Sequence, residues 1–306
     1  MLAGGVGAAR FLRGLSSLLD PRSLTVIVNT GDDESFFGLH VSPDIDTVIY
    51  TLAGAINPLP GWGIRNDTFS CLGALNRFYD ETWFQLGDRD LATHIFRTDA
   101  LRRGKTLTEA TATIAKAYGI RATVMPMTDA LVRTFVDVAH RGPLPFQRYL
   151  VHGGGRGQVQ RITLRGASQA HPTRGALAAV RRSTFVIIPP SNPLVSIGPI
   201  IALRGMRQAL RTMRARVAAV SPIIAGAPVK GPLHHMLKGL GYEVSPVGVA
   251  RLYRGLADVF VVDRRDAALA PRIAELGMRP VITDTLMTGT PASRRLAATV
   301  LSELRR

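Results

Sequence analysis

Five carboxylates fall within 15 residues: Asp32, Asp33, Asp44 and Asp46, carried by NTGDD (29–33) and SPDIDT (42–47), and Glu34 directly after the first. They stand out in a chain whose formal net charge is +16. A Gly-rich turn, GGVGAAR (4–10), precedes them. Its glycines at 4, 5 and 7 would let backbone N–H groups approach a phosphate at a helix N-terminus, where the dipole favours negative charge. A tight strand-to-helix turn needs the same small residues, and both readings stand. The GxGxxG spacing and the P-loop GK[ST] are absent. In extended backbone Asp44 and Asp46 would face the same way. They could then hold Mg²⁺ together, or one could hold the metal while the other takes a proton. The plainer alternative is that Asp46 caps a helix beginning near Thr47.

Other motifs add anion and ring contacts. In WFQLGDRDLATH (83–94), Arg89 could fork onto a phosphate, or Asp88, Arg89 and Asp90 could form a surface ion-pair cluster. Trp62 and Trp83 could stack on a planar ring or pack in the core. PSNPLVSIGPI (190–200) offers Ser191 and Asn192, the latter able to read a base or ribose edge. SPIIAGAPVKGP (221–232) offers Ser221 and Lys230, a reasonable phosphate ligand in a Gly/Pro loop. The adjacent His234 and His235 cannot converge on one ion from a regular helix. His94, beside LGDRD, is the histidine with a functional candidacy.

Composition narrows the class. The chain has 306 residues, 46% hydrophobic and 20% charged, enough for a sizeable core in one large or two small domains. No apolar run of membrane-spanning length occurs, and the N-terminus lacks a signal-peptide pattern. The single cysteine, Cys71, rules out an intrachain disulfide and reads as buried. A cytoplasmic protein fits best. Of the 38 basic residues, four are lysines (105, 116, 230, 238) and 34 are arginines. They are scattered, aromatics are 6%, and no nucleic-acid-binding motif is present. The basic excess reads as solubility with a codon bias toward arginine or, alternatively, as steering of anionic, phosphorylated substrates.

The elements that must position these residues alternate. A glycine turn opens an amphipathic helix over 2–19. Short apolar runs at 24–30, 121–127, 183–193, 216–226, 259–267 and 280–287 read as buried strands. Helices are expected at 47–56, 91–104, 107–119 (opened by Thr108) and after Pro291. A hairpin with a Gly-rich tip, HGGGRG (152–157), is expected within 146–167. The pattern predicts a Rossmann-like, doubly wound, mainly parallel α/β fold. It reads as a single domain, 1–306, with helical and hairpin elaborations roughly over 60–180. Asn29–Asp33, Pro190–Pro193, Ser221–Pro222, Asp263–Asp266 and Asp284–Met287 then fall at the C-terminal strand ends, where such sheets bind ligands. Only Met1–Ala3 precede the glycine turn. That is too short for a central strand, so residues are expected to be missing ahead of it.

Taken in order, GGVGAAR, NTGDD, HVSPDIDTVIYTLAG, GWG, LGDRDLATH, PMTD, PPSNPLVSIGPI, SPIIAGAPVKGP, GVARLY and DTLM resemble the 2-phospho-L-lactate transferase family of coenzyme F-420 biosynthesis. The resemblance spans residue 2 to the C-terminal helix. It implies transfer of a phospho-acid from a guanosine diphosphate-linked donor to the deazaflavin Fo, with release of GMP. Lactate, enolpyruvate and glycerate all remain open as the acid. It implies Mg²⁺ on Asp44 or Asp46, the other carboxylate acting as base. Arg89 would be catalytic and Asp88 would help position Fo. Gly4, Gly5 and Gly7, with Ser191 and Asn192, would hold the guanosine diphosphate. Asp32, Asp33, Thr47 and Lys230 complete the implied binding set, and a homodimer is expected. Where family members read PMSDD, this chain has Thr128, Asp129 and Ala130, one carboxylate fewer. The competing reading is a non-catalytic regulator of the same fold that binds nucleotide sugars. LGDRDLATH and DTLM favour the enzyme.

Overall fold

The computed structural model describes residues 1–213 and 215–306. Seven short strands form the central parallel layer: β1 (Leu2–Ala3), β2 (Thr25–Val28), β5 (Thr123–Pro126), β9 (Phe185–Ile188), β10 (Arg216–Val220), β13 (Val259–Asp263) and β14 (Arg279–Thr283). Between them lie β3 (Glu34–Phe36) with β4 (Leu39–Val41), the three-stranded antiparallel sheet of β6 (Arg133–Val138), β7 (Gly142–Pro145) and β8 (Val159–Arg165), and the small pair β11 (Ile223–Ile224) and β12 (Ala227–Pro228). The parallel strands pair as β1-β2-β5 and β14-β13-β10-β9, and the two sheets meet where β9 lies beside β1. Read across, the order is β5-β2-β1-β9-β10-β13-β14. Strand order therefore reverses between β1 and β9, a doubly wound arrangement with a switch point at its centre.

Both faces of this layer are covered, which explains the continuous apolar runs. Side chains alternate between two cores. Leu2, Ile27, Val186, Ile188, Phe260 and Val262 belong to one. Ala3, Val26, Val28, Ile187, Val259 and Val261 belong to the other. The central strand β1 spans two residues: Leu2 pairs with Ile27 and Ala3 with Val28, and the Met1 amino group donates to Thr25 O at 2.8 Å.

Helix α1 (Gly5–Ser16) follows β1 and crosses the C-terminal helix (Thr290–Arg305) at Gly14, where a side chain would meet Arg294 N at 2.6 Å. Helix α2 (Pro43–Leu52) starts four residues earlier than the sequence reading placed it. Pro43 at its first turn, with its fixed φ, is a helix-start signal. A short helix, α3 (Ser70–Leu75), precedes α4 (Asp88–Arg102) and α5 (Leu107–Ala117). The cap of α5 is Thr106, not Thr108: Thr106 Oγ1 accepts from Glu109 N at 3.1 Å while Glu109 Oε2 accepts from Thr106 N at 2.8 Å. The Gly-rich 153–157 segment is not a hairpin tip. It follows a π-helical turn (Arg148–His152) and leads into β8, which pairs with β6. Cys71 is exposed rather than buried. Among the described residues no helix is long and apolar enough to cross a membrane.

Candidate active site

A cavity of about 410 Å³ opens over the C-terminal ends of the strands that flank the switch point. The turn after β1 (Gly4–Gly7), Asp32 after β2, Pro190–Asn192 after β9, Ser221 after β10 and Thr285 after β14 all line it. The placement of motifs at strand ends thus holds in the folded chain for these segments.

The glycines have separate reasons to be glycine. Gly5 sits at φ 72°, a conformation a side chain would strain. Its N–H donates to Asp44 Oδ1 at 2.7 Å, tying the turn to α2. A Cβ on Gly4 would lie 2.8 Å from Ser196 Cβ and 3.1 Å from Asp44 Oδ2. A Cβ on Gly7 would overlap the Pro190 carbonyl. Close approach between the turn and the loop after β9 is therefore built into the site.

The floor beside this turn is acidic. Asp32, Asp33 and Asp44 are all buried. Asp44 Oδ2 accepts from Asn29 Nδ2 at 2.9 Å. Burial, opposed by these hydrogen bonds and reinforced by Asp33, pushes Asp44 up to about 6. Asp32 is raised well above the usual carboxylate range by burial first, then by the charges of Asp44 and Asp33. Its Oδ1 finds no partner among the described residues. Asp33 turns away from the cavity lining: Oδ2 accepts from Ser42 Oγ at 2.7 Å and lies 3.0 Å from His40 Nε2.

Asp44 and Asp46 both line the cavity but do not face the same way, because helical backbone rather than extended chain carries them. Asp46 belongs to a second network. Arg97, wholly buried, grips Asp46 through both terminal nitrogens, Nη1 donating to Oδ2 at 3.1 Å and Nη2 to Oδ1. Arg97 Nη1 is also 3.3 Å from His94 Nδ1. On the far side of the ring, His94 Nε2 is 3.2 Å from Asp90 Oδ1, close but not aligned as a hydrogen bond. Tyr50 OH donates to the same Oδ1 at 2.6 Å. Burial works against the Asp90 charge, yet His94, Tyr50 and Arg97 outweigh it and hold this carboxyl below its ordinary range. Asp46, Asp90 and His94 bring ligand atoms within 4.8 Å of one another, spacing that could suit a metal ion. The guanidinium among them supplies the positive charge instead. Asp46, Asp90, His94 and Tyr50 line the cavity; Arg97 lies beneath it.

The remaining candidates divide. Thr47, Ser191, Asn192, Lys230, His94 and Trp62 line the cavity. Ser191 Oγ is buried with no partner among the described residues. Asn192 Oδ1 accepts from Leu194 N at 2.9 Å. Lys230 Nζ donates to Pro60 O at 2.6 Å, and burial, with Arg10 nearby, lowers its pKa. Asp88 and Arg89 lie outside the lining. Asp88 accepts from Thr68 Oγ1 (2.5 Å), Ser70 N (3.0 Å) and Cys71 N (2.9 Å), while Arg89 N donates to Asp67 Oδ1 at 2.8 Å. Asp88 thus caps the start of α3, and the Arg89 N–H is capped by Asp67 at the start of α4. Trp83 packs edge-on against Phe36 and Phe84, away from the cavity lining. Sequence reasoning missed Arg97 and Tyr50. Its available signal was a polar stripe, Asp90, His94 and Arg97, at helical spacing on α4.

Residues 1–301 match the family described as 2-phospho-L-lactate transferase CofD. A protein of Methanosarcina acetivorans named 2-phospho-L-lactate transferase is 44% identical over 98% of this chain and 97% of its own. One of Streptomyces griseus named phosphoenolpyruvate transferase is 40% identical over 98% and 96%. A crystal structure of a UPF0052-family protein from Bacillus halodurans shares the fold, with TM-score 0.63 and 17% identity over 98% of this chain and 97% of that one. With matches of this extent, the chain belongs to the 2-phospho-L-lactate transferase CofD family.

Proposed function

We propose that this protein transfers a phospho-acid, 2-phospholactate or phosphoenolpyruvate, from a guanosine diphosphate-linked donor to the terminal hydroxyl of the deazaflavin Fo. The observation that carries this reading is the cavity itself. One part holds the Gly4–Gly7 turn, buried Ser191 and Lys230, together with Asp32 and Asp44, neither of which has an ion-pair partner among the described residues. Elsewhere in the lining Asp90 accepts from Tyr50 OH, and Trp62, Phe84 and Phe146 add aromatic faces. The first suits a diphosphate with a cation, the second a ring bearing hydroxyls.

The residues fit Mg²⁺, though not in the pairing read from the sequence. A hard cation takes oxygen ligands, often one or two carboxylates plus substrate phosphates. Asp32, with an orphaned Oδ1, and Asp44 supply such a pair; Asp46 is already neutralised by Arg97. Mg²⁺ held there would offset charge on the donor diphosphate. Lys230 and the hydroxyl of Ser191 would bind phosphate oxygens. Asp90 would accept a hydrogen bond from the acceptor hydroxyl and take its proton as the new O–P bond forms and the bond to GMP breaks. Phosphoryl transfer asks for positioning and charge neutralisation more than for a strong base, so an ionised carboxylate suffices.

The test is to mix the protein with Fo, Mg²⁺ and each candidate donor and follow products by mass spectrometry. A Fo phosphodiester with GMP is expected. Folded protein that binds GDP but yields no product with any donor would instead support the nucleotide-binding regulator. Sedimentation of the same sample tests the homodimer that the family resemblance implies.

A further inference from the structure

Arg97 has no place in the chemistry described above, yet it is among the largest wholly buried side chains of the protein. A guanidinium has only hydrogens to give and no lone pair to offer. Where Arg97 Nη1 meets His94 Nδ1 at 3.3 Å, the imidazole nitrogen must therefore accept. That fixes the tautomer: Nδ1 carries the lone pair and Nε2 the hydrogen. Nε2 then brings its hydrogen to within electrostatic reach of Asp90 Oδ1, at 3.2 Å though off the line of a hydrogen bond, where Tyr50 OH already donates. Asp46 accepts both terminal nitrogens of Arg97, so the guanidinium cannot turn away. The chain of contacts runs from a charge pair below the cavity to one carboxylate in its wall.

We infer that Arg97, acting through the tautomer of His94, is a positioning residue that orients the Asp90 carboxylate to receive a hydroxyl of the acceptor substrate. This rests on the proposed transfer to a hydroxyl-bearing acceptor. Arg97 never touches the ligand; its role is to make His94 present a hydrogen, not a lone pair, to Asp90. The same arrangement argues against a metal among Asp46, Asp90 and His94. A cation there would have to displace the guanidinium from Asp46, and the His94 nitrogen nearest Asp46 is the one already facing Arg97.

The two histidine nitrogens can be tested separately. His94→Asn keeps a polar group facing Arg97 and loses the one facing Asp90; His94→Gln places an amide N–H near the Nε2 position. His94→Asn should raise KM for the acceptor at least tenfold with KM for the donor unchanged, and His94→Gln should recover most of that loss. Arg97→Gln paired with Asp46→Asn, which removes both buried charges together, should reproduce the acceptor defect. A structural role alone would move both KM values or neither. Independently of turnover, ¹⁵N NMR of the full chain labelled at histidine should show His94 protonated on Nε2 and bare on Nδ1. A proton on Nδ1, equal losses for donor and acceptor, or no rescue by Gln would each overturn the inference. Absence of transfer in the wild type would sink the proposed function while leaving the tautomer measurement to decide this one.

Discussion

Replacing Gly4 with alanine tests whether close approach at the glycine turn sets the geometry of the cavity. The added Cβ would lie 2.8 Å from Ser196 Cβ, 2.9 Å from Ser196 O and 3.1 Å from Asp44 Oδ2. Carbon atoms rest about 3.5–4.0 Å apart, so the loop after β9 and the start of α2 must separate by roughly 0.7 Å or more. Gly4 is in extended backbone (φ −168°), which alanine adopts freely, so the cost is crowding alone. Overpacking of this kind costs about 1–3 kcal/mol. The loss of glycine's freedom in the unfolded chain returns about 0.4–1 kcal/mol. A net loss of about 1–2 kcal/mol corresponds to a Tm drop of roughly 2–8 °C. The kinetic effect should be larger in proportion, because a misplacement near 1 Å costs up to about 100-fold in rate. Gly14→Ala is the control. It meets the Ser293 carbonyl and Arg294 N at a helix crossing outside the cavity lining, so it should lower Tm at least as much yet leave kcat/KM within about threefold. Calorimetry and steady-state kinetics on both variants decide the matter. Gly4→Ala with near-normal kcat/KM, or Gly14→Ala with an equal kinetic loss, would refute the reasoning.

Three further expectations follow from the site. Asp44 is raised to about 6 in the folded chain, so the native state keeps its proton where the unfolded chain has lost it. Stability should therefore fall by up to about 3 kcal/mol as pH rises from about 4 to 6, then level off. Mg²⁺ should raise Tm at pH 8 and do little at pH 5; equal shifts at both would contradict the acidic pair as its site. Asp90→Asn should lower kcat/KM by about 100-fold or more, whereas Arg89→Ala, outside the cavity lining, should stay within about threefold. The reverse ranking in the same assay would restore the reading made from sequence. Lys230→Met should weaken GDP binding by about 10- to 100-fold in calorimetry, the worth of a charge-assisted hydrogen bond. Unchanged affinity would show that Lys230 stays on Pro60 O with nucleotide bound.

The fold was legible because its signal is coarse. Runs such as Thr25–Val28 and Val259–Asp263 are apolar on both faces, and the residues that follow them are polar, which is what a covered parallel strand ending at a ligand site requires. The site was legible only as a neighbourhood. Asp44 and Asp46 were paired on the assumption of extended backbone, although Ser42-Pro43 is itself a helix-start signature that sends the two carboxylates apart. Asp88 and Arg89 look like a site when read beside Asp90. The helix turns them outward, and Asp67, 21 residues earlier than Asp88, takes the free N–H groups of Arg89 and Asp90. Arg97 was passed over because arginine is rarely buried without a partner, and its partner lies 51 residues away.

The acidic floor has a consequence for the order in which ligands enter. The chain as a whole carries a formal charge of +16, so at long range it draws an anionic nucleotide inward. At the last few ångströms Asp44, ionised above about pH 6, reverses that sign. On the proposed function, a bare diphosphate would be attracted to the mouth and turned back at the floor, while one arriving with its divalent ion would be accepted at both. Capture should thus be slowed by added salt, which screens the far field, and final seating should depend on free Mg²⁺, which governs the near one.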